Sequence, residues 1–96
     1  MKVTVEYLGY IRKLVGEGRE EEIEVKDGST VADLLASLAE RHGASFRKAV
    51  YEPSSQDIKP GFIATVNGYL LNQLDGVRTK LKDADRVILM PVVSGG

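Results

Sequence analysis

The hydrophobic positions along the chain change period several times, and each change predicts an element. In KVTVEYLGY, Val3, Val5 and Tyr7 alternate with Lys2, Thr4 and Glu6, the two-residue period of a strand with one buried face. Ile11, Leu14 and Val15 then fall at helical spacing, but Gly16 and Gly18 leave room for only a turn or two. EEEIEV returns to alternation, with Ile23 and Val25 on one face, and stops at the turn dipeptide Asp27-Gly28. The first two strands are expected to form a hairpin.

STVADLLASLAERHG predicts the main helix. Thr30 can cap its free amides, Asp33 stands in capping-box position, and Gly43 supplies a left-handed stop. Val31, Leu34, Leu35 and Leu38 form one apolar stripe, while Asp33, Ser37, Glu40 and Arg41 face water. Beyond it SFRKAVYE fits either a short helix or a strand, and PSSQDIKPG is loop by composition. FIATVNGYLL predicts a second hairpin: a strand with Phe62, Ile63 and Val66, a turn at Asn67-Gly68, and a return over Tyr69 to Leu71. Past Asp75-Gly76, LKDADRVILMPVV places a polar turn at Asp83 to Asp85 before a strand from Arg86 to about Val92. Its nearly continuous apolar run predicts a central strand covered on both faces. This order of elements predicts an α+β fold: a ubiquitin-like β-grasp, with a mixed sheet of four to five strands and one main amphipathic helix.

Composition narrows the class. Residues 1–96, 43% of them hydrophobic, suffice for one modest core, so the chain reads as a single domain with a flexible tail at 93–96. Charged residues make up 28% and cancel to a net charge of -1, which speaks against nucleic acid or a membrane surface as partner. The absence of cysteine removes disulfides, thiolate nucleophiles and thiolate metal sites, and suits a reducing cytoplasm. No apolar run approaches the roughly 20 residues that span a bilayer, so a soluble cytoplasmic protein is expected.

Catalytic parts are scarce. The sequence contains no GxGxxG, no GxxxxGK[ST] and no pair of histidines, so neither catalytic nor metal-ligating residues are assigned. The single histidine, His42, sits in the last helical turn, where it suits the negative helix end. Glu20, Glu22 and Glu24 share the outward face of a strand and read as a solvated face. The six aromatic rings are scattered singly and read as core and rim packing. There remains PVVSGG, in which Ser94, Gly95 and Gly96 follow the last strand directly. At an average glycine usage of ~7%, a terminal pair arises by chance in roughly 0.5% of chains, so position must supply the meaning. The carboxylate of Gly96, with a reference pKa of ~3.3–3.7, is ionised at neutral pH and is a competent nucleophile toward the α-phosphorus of ATP. As an acyl-adenylate it becomes an electrophile. Two residues without Cβ suit threading into a narrow site on another protein and leave the carbonyl open to attack. The ATP site must belong to a partner, because this chain has no phosphate-binding loop.

These residues resemble the β-grasp sulfur carriers of the MoaD/ThiS type: the small subunit of molybdopterin synthase, the thiamine-pathway sulfur carrier and the archaeal ubiquitin-like modifiers (SAMP). The resemblance covers nearly the whole chain, through the helix STVADLLASLAERHG, the turn of FIATVNG, and LKDADRVILMPVVSGG, which is similar to the family's turn, strand, proline and diglycine. Ala84 stands where the family usually has glycine, Val92 replaces a second proline seen in the molybdopterin branch, and EPSSQDIKPG looks longer than in compact bacterial members. The resemblance implies a carrier that binds no cofactor of its own. A MoeB/ThiF-like, E1-like activating enzyme would use ATP to adenylate Gly96, which becomes a thiocarboxylate. The acceptor would be a MoaE-like molybdopterin synthase large subunit, a thiamine or tRNA-thiolation pathway, or target-protein lysines. Lys48 and Lys80 would be possible acceptors on another copy.

A short tail offers little area for docking, so an apolar patch beside it is expected, with Phe62, Leu71, Met90, Pro91, Val92 and Val93 as candidates against an equal expectation that they are core. Pro91 is expected to help end the strand. Three readings stand at this point: a sulfur carrier of the molybdopterin synthase type, a protein modifier, and a β-grasp interaction module whose glycines are incidental.

Overall fold

A computed structural model describes residues 1–16, 20–52, 57–58 and 61–92. Val93, Ser94, Gly95 and Gly96 lie outside the described residues, as does most of the loop PSSQDIKPG. The elements run β1 (Lys2–Tyr7), α1 (Ile11–Val15), β2 (Glu20–Glu24), α2 (Val31–His42), α3 (Ala44–Val50), β3 (Tyr51–Glu52), β4 (Asp57–Ile58), β5 (Phe62–Val66), β6 (Tyr69–Leu70), two 3-10 turns at Leu71–Gln73 and Gly76–Arg78, and β7 (Arg86–Pro91). Five strands form one sheet in the order β2-β1-β7-β5-β6, and β3 pairs with β4 in a separate ribbon. The first and last strands lie side by side at the centre and are parallel, whereas the other pairs are antiparallel. This is the expected mixed α+β roll, and both expected hairpins are present.

The main helix begins as the sequence dictates. The Thr30 hydroxyl accepts the Asp33 amide at 3.2 Å, and the Asp33 carboxylate accepts the Thr30 amide at 2.9 Å, so two free donors are satisfied reciprocally. Its stripe of Val31, Leu34, Leu35 and Leu38 is fully buried against the sheet residues Val3, Val5, Val87 and Leu89. The C-terminal stop differs from expectation. Gly43 has φ 84 but ψ -161, so it does not take the left-handed helical conformation; it turns the chain directly into α3. SFRKAVYE is thus a helix that passes into the two-residue strand β3. Phe46 and Val50, one helical turn apart, both enter the core, and that burial selects the helix.

Strand β7 is central, as expected, but only one of its faces is covered. Val87 and Leu89 are buried under the helix layer, whereas Ile88 and Met90 are partly exposed on the other face and Arg86 is exposed. The unbroken apolar run misleads because the open face of the sheet is itself partly apolar. The hairpin turn between β5 and β6 has Asn67 at φ 51 and Gly68 at φ 89, the geometry for which Asn-Gly is selected.

Candidate functional site

The candidate site is the place where the chain leaves the sheet. On the β1 side, the Leu8 amide donates to the Leu89 carbonyl at 3.0 Å; the next amide of β7 on that side would be that of Pro91, which has none. On the other side, the Val92 amide donates to the Gly61 carbonyl at 2.7 Å. β7 therefore ends at Pro91 for a chemical reason, and the path continues from Val92, half exposed at 47%.

The structure divides the predicted docking residues. Phe62 is buried, opposite Pro91 in the β5–β7 register, with its ring edge-on to the exposed Tyr10. Leu71 is partly buried and meets Phe62 in an open apolar groove of about 390 Å³, lined also by Ile63, Ala64, Leu70 and Val77. Met90 pairs with Ile63 across the open face, where Ile88 and Leu70 add apolar surface that the sequence reading did not include. For Ile88 the signal was the two-residue alternation within β7, which the continuous apolar run concealed; Leu70 joins it only through the β5–β6 register, opposite Thr65. Val93, Ser94, Gly95 and Gly96 fall outside the described residues.

Toward β2 the open face becomes charged. The Arg86 guanidinium donates to Glu6 at 2.7 Å and to Glu20 at 2.5 Å, and these hydrogen bonds, that of Glu6 foremost, hold its pKa above the ordinary arginine value. Glu20, Glu22 and Glu24 are exposed, as expected of a solvated face. A larger groove of about 560 Å³ lies at the far edge between β2 and α2. Its lining, Glu24 to Ser29 with Asp33, Ala36 and Ser37, excludes every residue at the chain's exit, so size does not make it the site.

His42 is more than a helix-end partner. Its side chain, on the last residue of α2, is buried and lies 2.6 Å through Nε2 from a carboxylate oxygen of Glu21, which also accepts the Tyr7 hydroxyl; Arg41 donates to the second Glu21 oxygen at 3.1 Å. The cluster ties β1, β2 and α2 together, and no buried polar side-chain atom among the described residues lacks a partner. Nor do three His, Cys, Asp or Glu side chains gather as a metal site among those residues.

The apolar half-face thus lies beside the point where β7 ends. The sequence pattern of the ThiS family matches residues 5–96. The chain belongs to the ThiS family. Small archaeal modifier protein 3 of Haloferax volcanii is 33% identical over 97 residues, with both chains covered completely. The molybdopterin synthase sulfur carrier subunit of Mycobacterium tuberculosis is 29% identical over 96 residues, covering 100% of this chain and 99% of that one. The solution structure of small archaeal modifier protein 1 from Methanosarcina acetivorans superposes with a TM-score of 0.79 at 26% identity, covering 99% of this chain and 96% of that one. As a ThiS-family protein, the chain is a sulfur carrier or ubiquitin-like modifier and not an enzyme.

Proposed function

We propose that this protein is a sulfur carrier that works through the carboxylate of Gly96. In this reading a MoeB/ThiF-like activating enzyme joins the carboxylate to the α-phosphorus of ATP and releases pyrophosphate. Sulfide from a sulfur donor, as HS⁻, then attacks the acyl carbon, AMP leaves, the thioacid loses its proton, and Gly96 ends as a thiocarboxylate. The observation that carries the reading is the end of β7: the central strand stops at Pro91, four residues after Val92 lies Gly96, and the sequence has no phosphate-binding loop with which to activate it. The thiocarboxylate enters a MoaE-like large subunit that holds the molybdopterin precursor. The likeness to a molybdopterin synthase sulfur carrier subunit over the full chain supports that acceptor. The cysteine-free composition suits work in the cytoplasm, and no helix among the described residues is long and apolar enough to cross a membrane.

A second reading is favoured by the 33% identity to a small archaeal modifier protein. There the adenylated Gly96 is attacked by a lysine amine of a target protein, AMP leaves, and an isopeptide bond forms. Lys80, exposed, is a possible acceptor on a second copy.

Incubation with the activating enzyme of the same host, ATP and a sulfur donor separates these ideas. Intact mass should show one oxygen exchanged for sulfur at Gly96, and deletion of Gly95 and Gly96 should abolish the exchange while the far-ultraviolet circular dichroism is unchanged. A wild-type terminus that stays unmodified sinks both readings, and a cellular role that survives the deletion marks the protein as an interaction module. Glycine-glycine remnants on lysines in digests of host extracts identify the modifier fate.

A further inference from the structure

The turn that joins β1 to α1 touches the root of the terminal segment. Gly9 in that turn has φ +64, and a methyl group built on it would lie 2.8 Å from Cγ and 3.0 Å from Cδ of Pro91, with no third atom of the described residues within 4 Å. Carbon atoms in contact settle at about 3.5–4.0 Å, so the Pro91 ring fills the space that the side chain of any other residue at position 9 would need. Backbone conformation alone does not account for this. Gly16 has nearly the same φ, +66, with no atom of the described residues within 4 Å of its added methyl.

The next residue continues the contact. Tyr10 is 53% exposed, yet its ring stands edge-on to Phe62, with centroids 5.6 Å apart and planes at 61°. Phe62 is the strand partner of Pro91. Pro91 is thus approached by Gly9 on one side and by the Tyr10-backed Phe62 on the other, and it lies between the Leu8–Leu89 and Val92–Gly61 hydrogen bonds.

We propose that Gly9 and Tyr10 are positioning residues that form a seat for Pro91 and so fix the direction in which the chain leaves β7. The value of this rests on the carrier reading: a chain end launched from one fixed direction samples less space than one launched from a frayed strand, and so meets a narrow partner channel more often. The seat itself is testable without that chemistry. Because the chain has no cysteine, spin labels on Ser37→Cys in α2 and on Ser94→Cys report one distance distribution unambiguously. Gly9→Ala should shift or broaden it, whereas Gly16→Ala, which imposes the same backbone strain without the clash, should not. In a Pro91→Ala background, which lacks both clashing atoms, Gly9→Ala should add nothing. If Gly9→Ala behaves like Gly16→Ala, or acts equally with and without the Pro91 ring, the seat does not exist. Should circular dichroism show Gly9→Ala unfolded, Tyr10→Ala replaces it, and a wild-type distribution there overturns the proposal.

With the activating enzyme, Gly9→Ala should raise KM roughly 10-fold at unchanged kcat, since misplacement of a bound group by about 1 Å can cost more than that. A wild-type chain that is never modified defeats the carrier reading and leaves the label measurement to decide the seat. An unchanged KM in an active system defeats the positioning role.

Discussion

Ala84 is a residue whose conformation and identity disagree. It has φ 71, in the left-handed region, within the tight turn closed by the Asp85 amide on the Lys82 carbonyl at 3.1 Å. The turn is fastened to the start of β1, because the Ala84 amide donates to the Lys2 carbonyl at 2.8 Å and the Lys2 amide donates to the Asp83 carboxylate at 2.9 Å. The backbone therefore cannot relax, and Ala84→Gly should stabilise the protein by about 0.5–1 kcal/mol through relief of that strain. A thermal melt checks it: Tm should rise by a few degrees, and a Tm that falls contradicts the strain argument. The departure from the family's glycine was legible in the sequence, but it left the turn in place and put an alanine under strain. Glu21 and His42 were legible only in half. Periodicity places Glu21 on the same face as the buried Ile23, yet only the fold shows that His42 arrives from α2 to meet it.

At the scale of elements, α2 was written almost wholly in local sequence. Its cap, its buried stripe and its last residue can be read from STVADLLASLAERHG because each depends on neighbours within four residues. Thr30→Ala removes one half of the capping box and should cost about 1 kcal/mol, seen as a lower denaturant midpoint at unchanged slope. An unchanged midpoint would mean that packing alone holds the start of α2. The seven residues of α3 could not be assigned in the same way. Isolated helices below ~12–15 residues are marginal, so α3 exists because Phe46 and Val50 reach the core. Gly43 shows the same dependence, since its positive φ was expected while its ψ is set by the helix that follows.

At the scale of the molecule, the open face of the sheet is divided. Ile63, Leu70, Ile88 and Met90 make one half apolar, and Glu6, Glu20, Glu22, Glu24 and Arg86 make the other charged. Arg86 is a cation whose pKa is raised, so its contribution is fully present below the ordinary arginine pKa and is lost only as pH rises through the raised value. The Arg86 charge therefore stays fixed through neutral pH, while salt weakens the exposed pairs. If the apolar half receives the activating enzyme, Met90→Glu should raise KM for that enzyme about 10-fold or more while leaving the fold intact, because a carboxylate would have to be buried without a partner. An unchanged KM would move docking elsewhere, and a large fall in Tm would assign Met90 to the core.

The sequence by itself determined the elements whose cause is local: the strand periods, the capped main helix, the Asn67-Gly68 turn, and the glycine pair that singled out Gly96. From these the β-grasp class could be read. Tertiary structure alone decided what depends on residues far apart in the chain. It put β7 beside β1 and left one of its faces open, made α3 a helix, brought Glu21 to His42, and placed Gly9 against Pro91. The reason is physical: hydrogen bonds within a turn are fixed by neighbouring residue types, whereas which apolar faces are covered, and which backbone approaches which ring, is fixed only when the whole chain has found its core.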